Sequence, residues 1–159
     1  LSENTLESVS KSLASLYSQY PFHDMNNCIW RNIQSACIPP AMVMKGLIPL
    51  YIAAVAGVHW IAGDRIQLGG CLIEWSVKQF YESLTKGRCR KGDSDVEGNE
   101  FVNKEASNTI LIICYLYNYG VMHCTLMYDL IKHLIKNFSE IDVESLLLIL
   151  SHCGQQLRS

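Results

Sequence analysis

Apolar residues recur at steps of three and four along most of the chain, the spacing of a helix with one buried stripe. Leu6, Val9, Leu13, Leu16, Tyr17 and Tyr20 form the first such stripe, and predict a helix over 4–20 that Pro21 closes. Asn4 followed by Glu7 reads as a capping box, with Ser2 as a second N-cap candidate. Asp24 suits the N-cap of a second helix, 24–38, striped by Met25, Cys28, Ile29, Ile33, Ala36 and Cys37. Pro39 and Pro40 break the chain there and suit the first turn of a third helix, 41–61. A fourth helix, 64–84, follows the break at Gly63-Asp64, and Gly69-Gly70 near its start admits a close backbone neighbour. After a polar interval at 85–103, helices are predicted over 106–118, 121–138 and 140–153. Ser139 with Asp142 reads as a capping box for the last, and Gly154 as its C-terminal stop.

Seven helices and no convincing strand make an all-α chain. Short breaks join 4–20 to 24–38, 41–61 to 64–84, and 106–118 to 121–138 as antiparallel pairs. Each pair takes about 40 residues, the size of a HEAT unit, although no exact period is visible. The expected architecture is an α-solenoid of HEAT-type helix pairs in one domain, 1–159, with a polar loop at 85–103. The seventh helix lacks a partner, which reads as truncation at the C-terminal end and predicts a bare apolar face there. The third helix is apolar nearly all round, with His59 as the strongly polar exception between Gly46 and Ala62. A membrane span needs ~20 apolar residues. This run is interrupted by Pro49 and Gly57 and lacks basic flanks, so it reads as a central helix covered on all sides by protein.

Composition narrows the class further. Apolar residues make up 49% and charged residues 18%, which excludes a disordered chain. A formal net charge of -2 excludes a polycation that coats nucleic acid. The chain begins at Leu1 rather than Met and reads as a piece of a longer protein. Its 7 cysteines contain no C-x-x-C pair, so they read as reduced core thiols rather than a zinc module.

Catalytic chemistry finds little support. His123-Cys124 and His152-Cys153 are adjacent pairs. Helical neighbours point about 100° apart and do not readily form a nucleophile–base pair. His133 and Asp129 are four apart and read as a helix-surface pair rather than metal ligands. Phosphate-binding glycine motifs and nucleic-acid modules are absent. Trp60 and Trp75 read as core, while Trp30 beside Arg31 reads as a candidate exposed ring. Lys86, Arg88, Arg90 and Lys91 precede four acidic residues in the 85–103 interval. They are either an RNA- or phosphate-binding cluster or a solvated loop pairing its own charges. No cofactor and no metal site are expected, and the residues favour a binding scaffold over an enzyme.

Several segments resemble the middle domain of eukaryotic initiation factor 4-gamma and its relatives, especially the nucleolar branch. These are Leu1-Ser2-Glu3 with Leu6 and Val9, Asp24-Met25-Asn26-Asn27, and Ile66-Gln67-Leu68-Gly69 through Glu74. The last block runs from Leu116-Tyr117-Asn118 through Tyr128-Asp129-Leu130, Phe138 and Asp142-Val143-Glu144 to Cys153-Gly154 and Leu157-Arg158. The resemblance implies a HEAT-type crescent that binds and stimulates a DEAD-box RNA helicase related to initiation factor 4A. In the nucleolar branch it implies a nuclear, nucleolar role in small-subunit ribosome biogenesis and processing of the 18S ribosomal RNA precursor. RNA or a pre-ribosomal particle is a further implied partner, and an RNA-binding module of splicing or translation initiation is the alternative. Carried onto this chain, the helicase contact falls on Leu1, Ser2, Glu3, Asn4, Leu6 and Glu7. The competing reading is a frayed terminus with Leu6 in the core stripe. The 85–103 interval is longer than the nucleolar branch leads one to expect, and Cys153-Gly154-Gln155-Gln156 departs from it in side chains.

Overall fold

The computed structural model describes residues 2–89 and 104–158, with the backbone alone at Glu3, Arg88 and Cys89. The described residues form seven α-helices and no strand: α1 (Leu6–Leu16), α2 (Phe22–Cys37), α3 (Leu47–Ala62), α4 (Leu68–Cys89), α5 (Glu105–Asn118), α6 (Cys124–Asn137) and α7 (Glu140–Leu157). Short 3-10 turns at Glu3–Thr5 and Asp64–Ile66 precede α1 and α4.

Contacts between helices arrange the chain in two rows. In the first row α1 packs on α3, α3 on α5, and α5 on α7. In the second, α2 meets α4 through Asn26–Cys71, the Trp30–Trp75 ring pair and Gln34–Gln79. Each of those partners lies 45 residues further on, so α2 and α4 run parallel in constant register. Along α5 and α7 the offsets vary from 34 to 39, through Asn118–His152, Ser107–Glu144 and Tyr117–Gln156. Such drift in offset explains why helix pairs are visible in the sequence and an exact period is not. The α4–α5 and α6–α7 contacts tie the rows together. This is the expected α-solenoid of helical hairpins.

The core lies where the rows meet. α5 is its centre: every residue from Ala106 to Cys114 is buried. Gly57 lets α1 reach α3, because a Cβ there would stand 2.7 Å from Ser10 Oγ. The Ser10 hydroxyl donates across that contact to Ala54 O at 3.0 Å.

Several local expectations are corrected. No Asn4–Glu7 capping box forms: Thr5 precedes α1 and Glu7 instead pairs with Lys11 at 2.6 Å. α2 starts after Pro21, whose extended backbone sets the entry, and Asp24 lies in its first turn beside the positive helix end. α3 begins at Leu47, because 38–46 is held as a loop by the buried Asn108 of α5. α4 starts at Leu68 and runs on to Cys89. Gly69 faces the side chains of His59 and Val121 rather than a backbone. Gly154 does not stop α7, which continues to Leu157. α7 packs on the preceding helices α5, α6 and α4. It does leave Leu147 and Leu150 exposed.

The tryptophans reverse their expected places. Trp30 is buried against Trp75, which is half-buried, and Trp60 is 63% exposed. α3 is therefore not covered on all sides: Leu50 and Ala53 are half-buried and lead to exposed Trp60 and Ile61. A helix without a polar stripe carries no signal of which side faces water. Among the described residues no helix is long and apolar enough to cross a membrane. The Ser139–Asp142 capping box forms as expected, with the Asp142 carboxylate accepting the Ser139 N–H at 2.9 Å.

Candidate partner surfaces

The expected partner-binding residues sit at one end of the stack. Ser2, Asn4 and Glu7 are exposed and Leu6 is half-buried, while Leu1 and the Glu3 side chain lie outside the described residues. Thr5 Oγ1 donates to Ser2 O and accepts the Ser2 N–H, so the turn before α1 is held by local bonds. The Lys11 ammonium, hydrogen-bonded to Glu7, holds that carboxyl below its usual value. α1 rests on α3 at the head of the row, and Asn4, Thr5 and Glu7 at its start face solvent.

Of the basic cluster, Lys86 is exposed near the end of α4. The Arg88 side chain, Arg90 and Lys91 lie outside the described residues. Lys86 borders a groove of about 690 Å³ together with Lys78, Tyr81, Glu82 and Thr85. His133 of α6 stands edge-on to Tyr81, with ring centroids 4.8 Å apart. His133 also meets Asn137, and Asp129 pairs with Lys132 at 3.4 Å, so the expected His133–Asp129 pair does not form.

The α4 terminus adjoins the α6–α7 corner. A Cβ on Gly87 would strike Ile141, in the first turn of α7. Glu144, one turn later, takes Lys104 and Ser107 at 3.0 Å each and so brings the start of α5 to the same edge. Phe138, at that corner, is 65% exposed and has a left-handed backbone, φ 48° and ψ 37°. A second, open groove of about 810 Å³ runs between α6 and α7, lined by Tyr128, Ile131, Leu150 and Leu157 among others.

The thiols divide by burial. Cys37, Cys114 and Cys153 are buried, Cys71 and Cys124 half-buried, and Cys28 exposed. Cys114 and Cys153 meet between α5 and α7, where the Cys153 thiol lies 3.5 Å from Cys114 O. Their mutual hydrogen bond raises the Cys114 thiol, with burial adding to it, and lowers that of Cys153. His123 and Cys124 come closer than two helical neighbours would, with Sγ 3.7 Å from Nδ1. The reason is that His123 is the extended N-cap of α6, not a helical residue. No group of three metal-capable side chains occurs among the described residues.

Sequence comparison settles what kind of chain carries these surfaces. Residues 1–159 match the MIF4G domain throughout. The chain belongs to the MIF4G domain family. Nucleolar MIF4G domain-containing protein 1 of mouse and that of human are each 30% identical over 158 residues, covering 99% of this chain and 17% of the relative. Suppressor of glycerol defect protein 1 of Schizosaccharomyces pombe is 29% identical over 159 residues, 100% of this chain and 19% of the relative. The chain thus spans about a fifth of the length of the curated relatives it matches. No solved structure matches. The MIF4G match agrees with the family resemblance read from the sequence motifs.

The exposure of Phe138 is hidden in the sequence, because Phe138 extends the apolar stripe of α6. The available signal was an aromatic directly before the Ser139 cap, where a glycine or asparagine usually ends a helix.

Proposed function

We propose that this chain is a non-enzymatic HEAT-type scaffold that binds and stimulates a DEAD-box RNA helicase related to initiation factor 4A. Its setting is nucleolar small-subunit ribosome biogenesis, in processing of the 18S ribosomal RNA precursor. Membership of the MIF4G family along the whole chain, with relatives named as nucleolar, carries this reading. The solvent-facing first turn at the head of the row supports Ser2, Asn4, Leu6 and Glu7 as the contact, together with Leu1 and Glu3.

The physics is an equilibrium bias. A scaffold that binds one arrangement of a two-lobed enzyme better than another shifts the population by that difference in affinity. It raises ATP turnover without donating a catalytic group.

Binding and ATPase stimulation are measured with a purified helicase of the initiation factor 4A type. Leu1→Asp with Leu6→Asp should weaken binding at least about tenfold, the effect of losing one strong anchor. Leu6 is half-buried, so Glu7→Lys is the control at a surface position. It should weaken binding while leaving Tm unchanged. An intact chain that neither binds nor stimulates the helicase refutes the reading.

A further inference from the structure

α5 and α7 are neighbours in the first row, and Cys114 meets Cys153 between them. The two lie 39 positions apart, the offset that also pairs Tyr117 with Gln156 one turn further along. Both are buried, at 0% and 1% exposure. The Cys153 thiol stands 3.5 Å from Cys114 O, and the two thiols share a hydrogen bond. A single buried cysteine is an ordinary small core residue. Two that meet across a helix–helix contact are the reactants of a disulfide.

The surroundings leave a small oxidant a way in. Gly154 follows Cys153 and lines the open groove of about 810 Å³ between α6 and α7. A Cβ on Gly154 would meet nothing within 4 Å. Leu150, one turn before Gly154, lines the same groove and is exposed. α7 is thus packed on one side and open on the other, and a slight shift of it admits a molecule of the size of water.

We propose that Cys114 and Cys153 form a peroxide-sensitive clasp, a reversible disulfide that pins α7 to α5. First the Cys153 sulfur attacks hydrogen peroxide. An S–O bond forms, the O–O bond breaks, and hydroxide leaves with the thiol proton as water, so that Cys153 becomes a sulfenic acid. The Cys114 sulfur then attacks Cys153. The S–S bond forms, the S–O bond breaks, and the hydroxyl leaves with the Cys114 proton as a second water. Two electrons pass from the thiols to the peroxide, and a dithiol returns them by exchange. The order follows from the shared hydrogen bond. It lowers the Cys153 thiol and raises that of Cys114, which makes Cys153 the readier nucleophile. The closed loop contains the whole of α6, so the clasp fixes the α6–α7 hairpin on α5. This device is independent of the helicase reading and uses no residue assigned to it.

The whole chain is treated with hydrogen peroxide, capped with N-ethylmaleimide and mapped as peptides without reduction. A Cys114–Cys153 linked peptide should form ahead of every other pairing among the 7 cysteines. Cys28→Ser with Cys124→Ser, which removes two more accessible thiols, should form it equally well. The same treatment in urea should give mixed pairings. The linked chain should melt higher by roughly 8–16 °C, the effect of closing a loop of this length, and dithiothreitol should restore the parent Tm. Absence of the linked peptide from the folded chain overturns the proposal, and so does a yield no greater than in urea. Cys153 recovered as sulfinic or sulfonic acid without the link has the same consequence, as has a linked chain whose Tm does not rise. The decisive readouts come from the parent and the Cys28, Cys124 variant, so the outcome does not depend on a core cysteine variant that folds poorly.

Discussion

Asn108→Ala should be among the most damaging single substitutions in this chain, although it removes no apolar surface. Asn108 is 0% exposed on α5. Its amide donates to Pro39 O at 3.0 Å and to Met42 O at 2.8 Å, and its oxygen accepts the Met44 N–H at 2.8 Å. The Lys104 N–H adds a fourth bond, to Pro40 O at 3.0 Å. These bonds hold 38–46 as a loop between α2 and α3, where Pro39 and Pro40 have no N–H to give. Leaving a buried donor or acceptor unmade costs about 1–3 kcal/mol, against about 1 kcal/mol for an exchange with water. Met42 is exposed, so its carbonyl can rehydrate, whereas the space beside α5 cannot. The expected loss is about 2–4 kcal/mol, against a total stability of roughly 5–15 kcal/mol.

Urea unfolding measures that loss as a lower midpoint at unchanged slope. Native-state hydrogen exchange localises it: the Met44 amide should lose protection before amides in the middle of α5. Asn108→Asp sharpens the test. Its carboxylate would face two carbonyls, which raises the folded-state pKa of the acid. Stability should then be highest at low pH, where a protonated acid still donates, and fall as pH rises through that pKa. A loss under about 1 kcal/mol for Asn108→Ala, or a larger loss with Met44 protection intact, would refute the assignment of the loop to this side chain.

Two further outcomes follow from packing and burial. Gly57→Ala places a Cβ 2.7 Å from Ser10 Oγ and should destabilise by about 1–3 kcal/mol despite alanine's better helix propensity. Ser10→Gly in the same chain should recover much of that, and strict additivity of the two changes in a double-mutant cycle would exclude the α1–α3 contact as the cause. Burial pushes the Cys37 thiol up to about 11 from 9.0, so its contribution is complete below pH 9 and is lost as pH rises towards 11. Roughly 1–2 kcal/mol should disappear over that window in urea titrations, after allowing for solvent screening, and Cys37→Ala should flatten the profile; an identical decline in Cys37→Ala would remove the thiol from the account.

How much of this was legible in the sequence follows from the range of each interaction. The seven helices were readable because stripes such as Leu126, Leu130, Leu134 and caps such as Ser139–Asp142 are local. The exposed apolar residues of α7, Leu147 and Leu150, were readable from the odd helix count, which leaves the last helix without a hairpin partner. The start of α3 was not, because Asn108 decides it from 64 to 69 residues away. Which face of α3 meets water was equally hidden, and Trp60 is exposed for a reason that only the position of α5 supplies. Its indole N–H is satisfied by Tyr119 O at 3.2 Å, so an exposed ring there leaves no donor unmade. Trp30 shows the converse. The buried face of α2 holds Asn26, Ile29, Trp30, Ile33 and Cys37, and Asn26 enters it because it accepts from Tyr17 and donates to Ile66 O. A polar residue whose partners are long-range looks like surface in a sequence. That substitution of Asn26 for an apolar residue hides the true stripe and makes a buried tryptophan read as exposed. The candidate sites divide in the same way. The start of α1 came from a family motif and is local in sequence, while the grooves beside α4 and between α6 and α7 exist only because helices distant in sequence pack together. Surface function in a solenoid is therefore least legible where neighbouring repeats meet, since neither repeat alone carries the pattern.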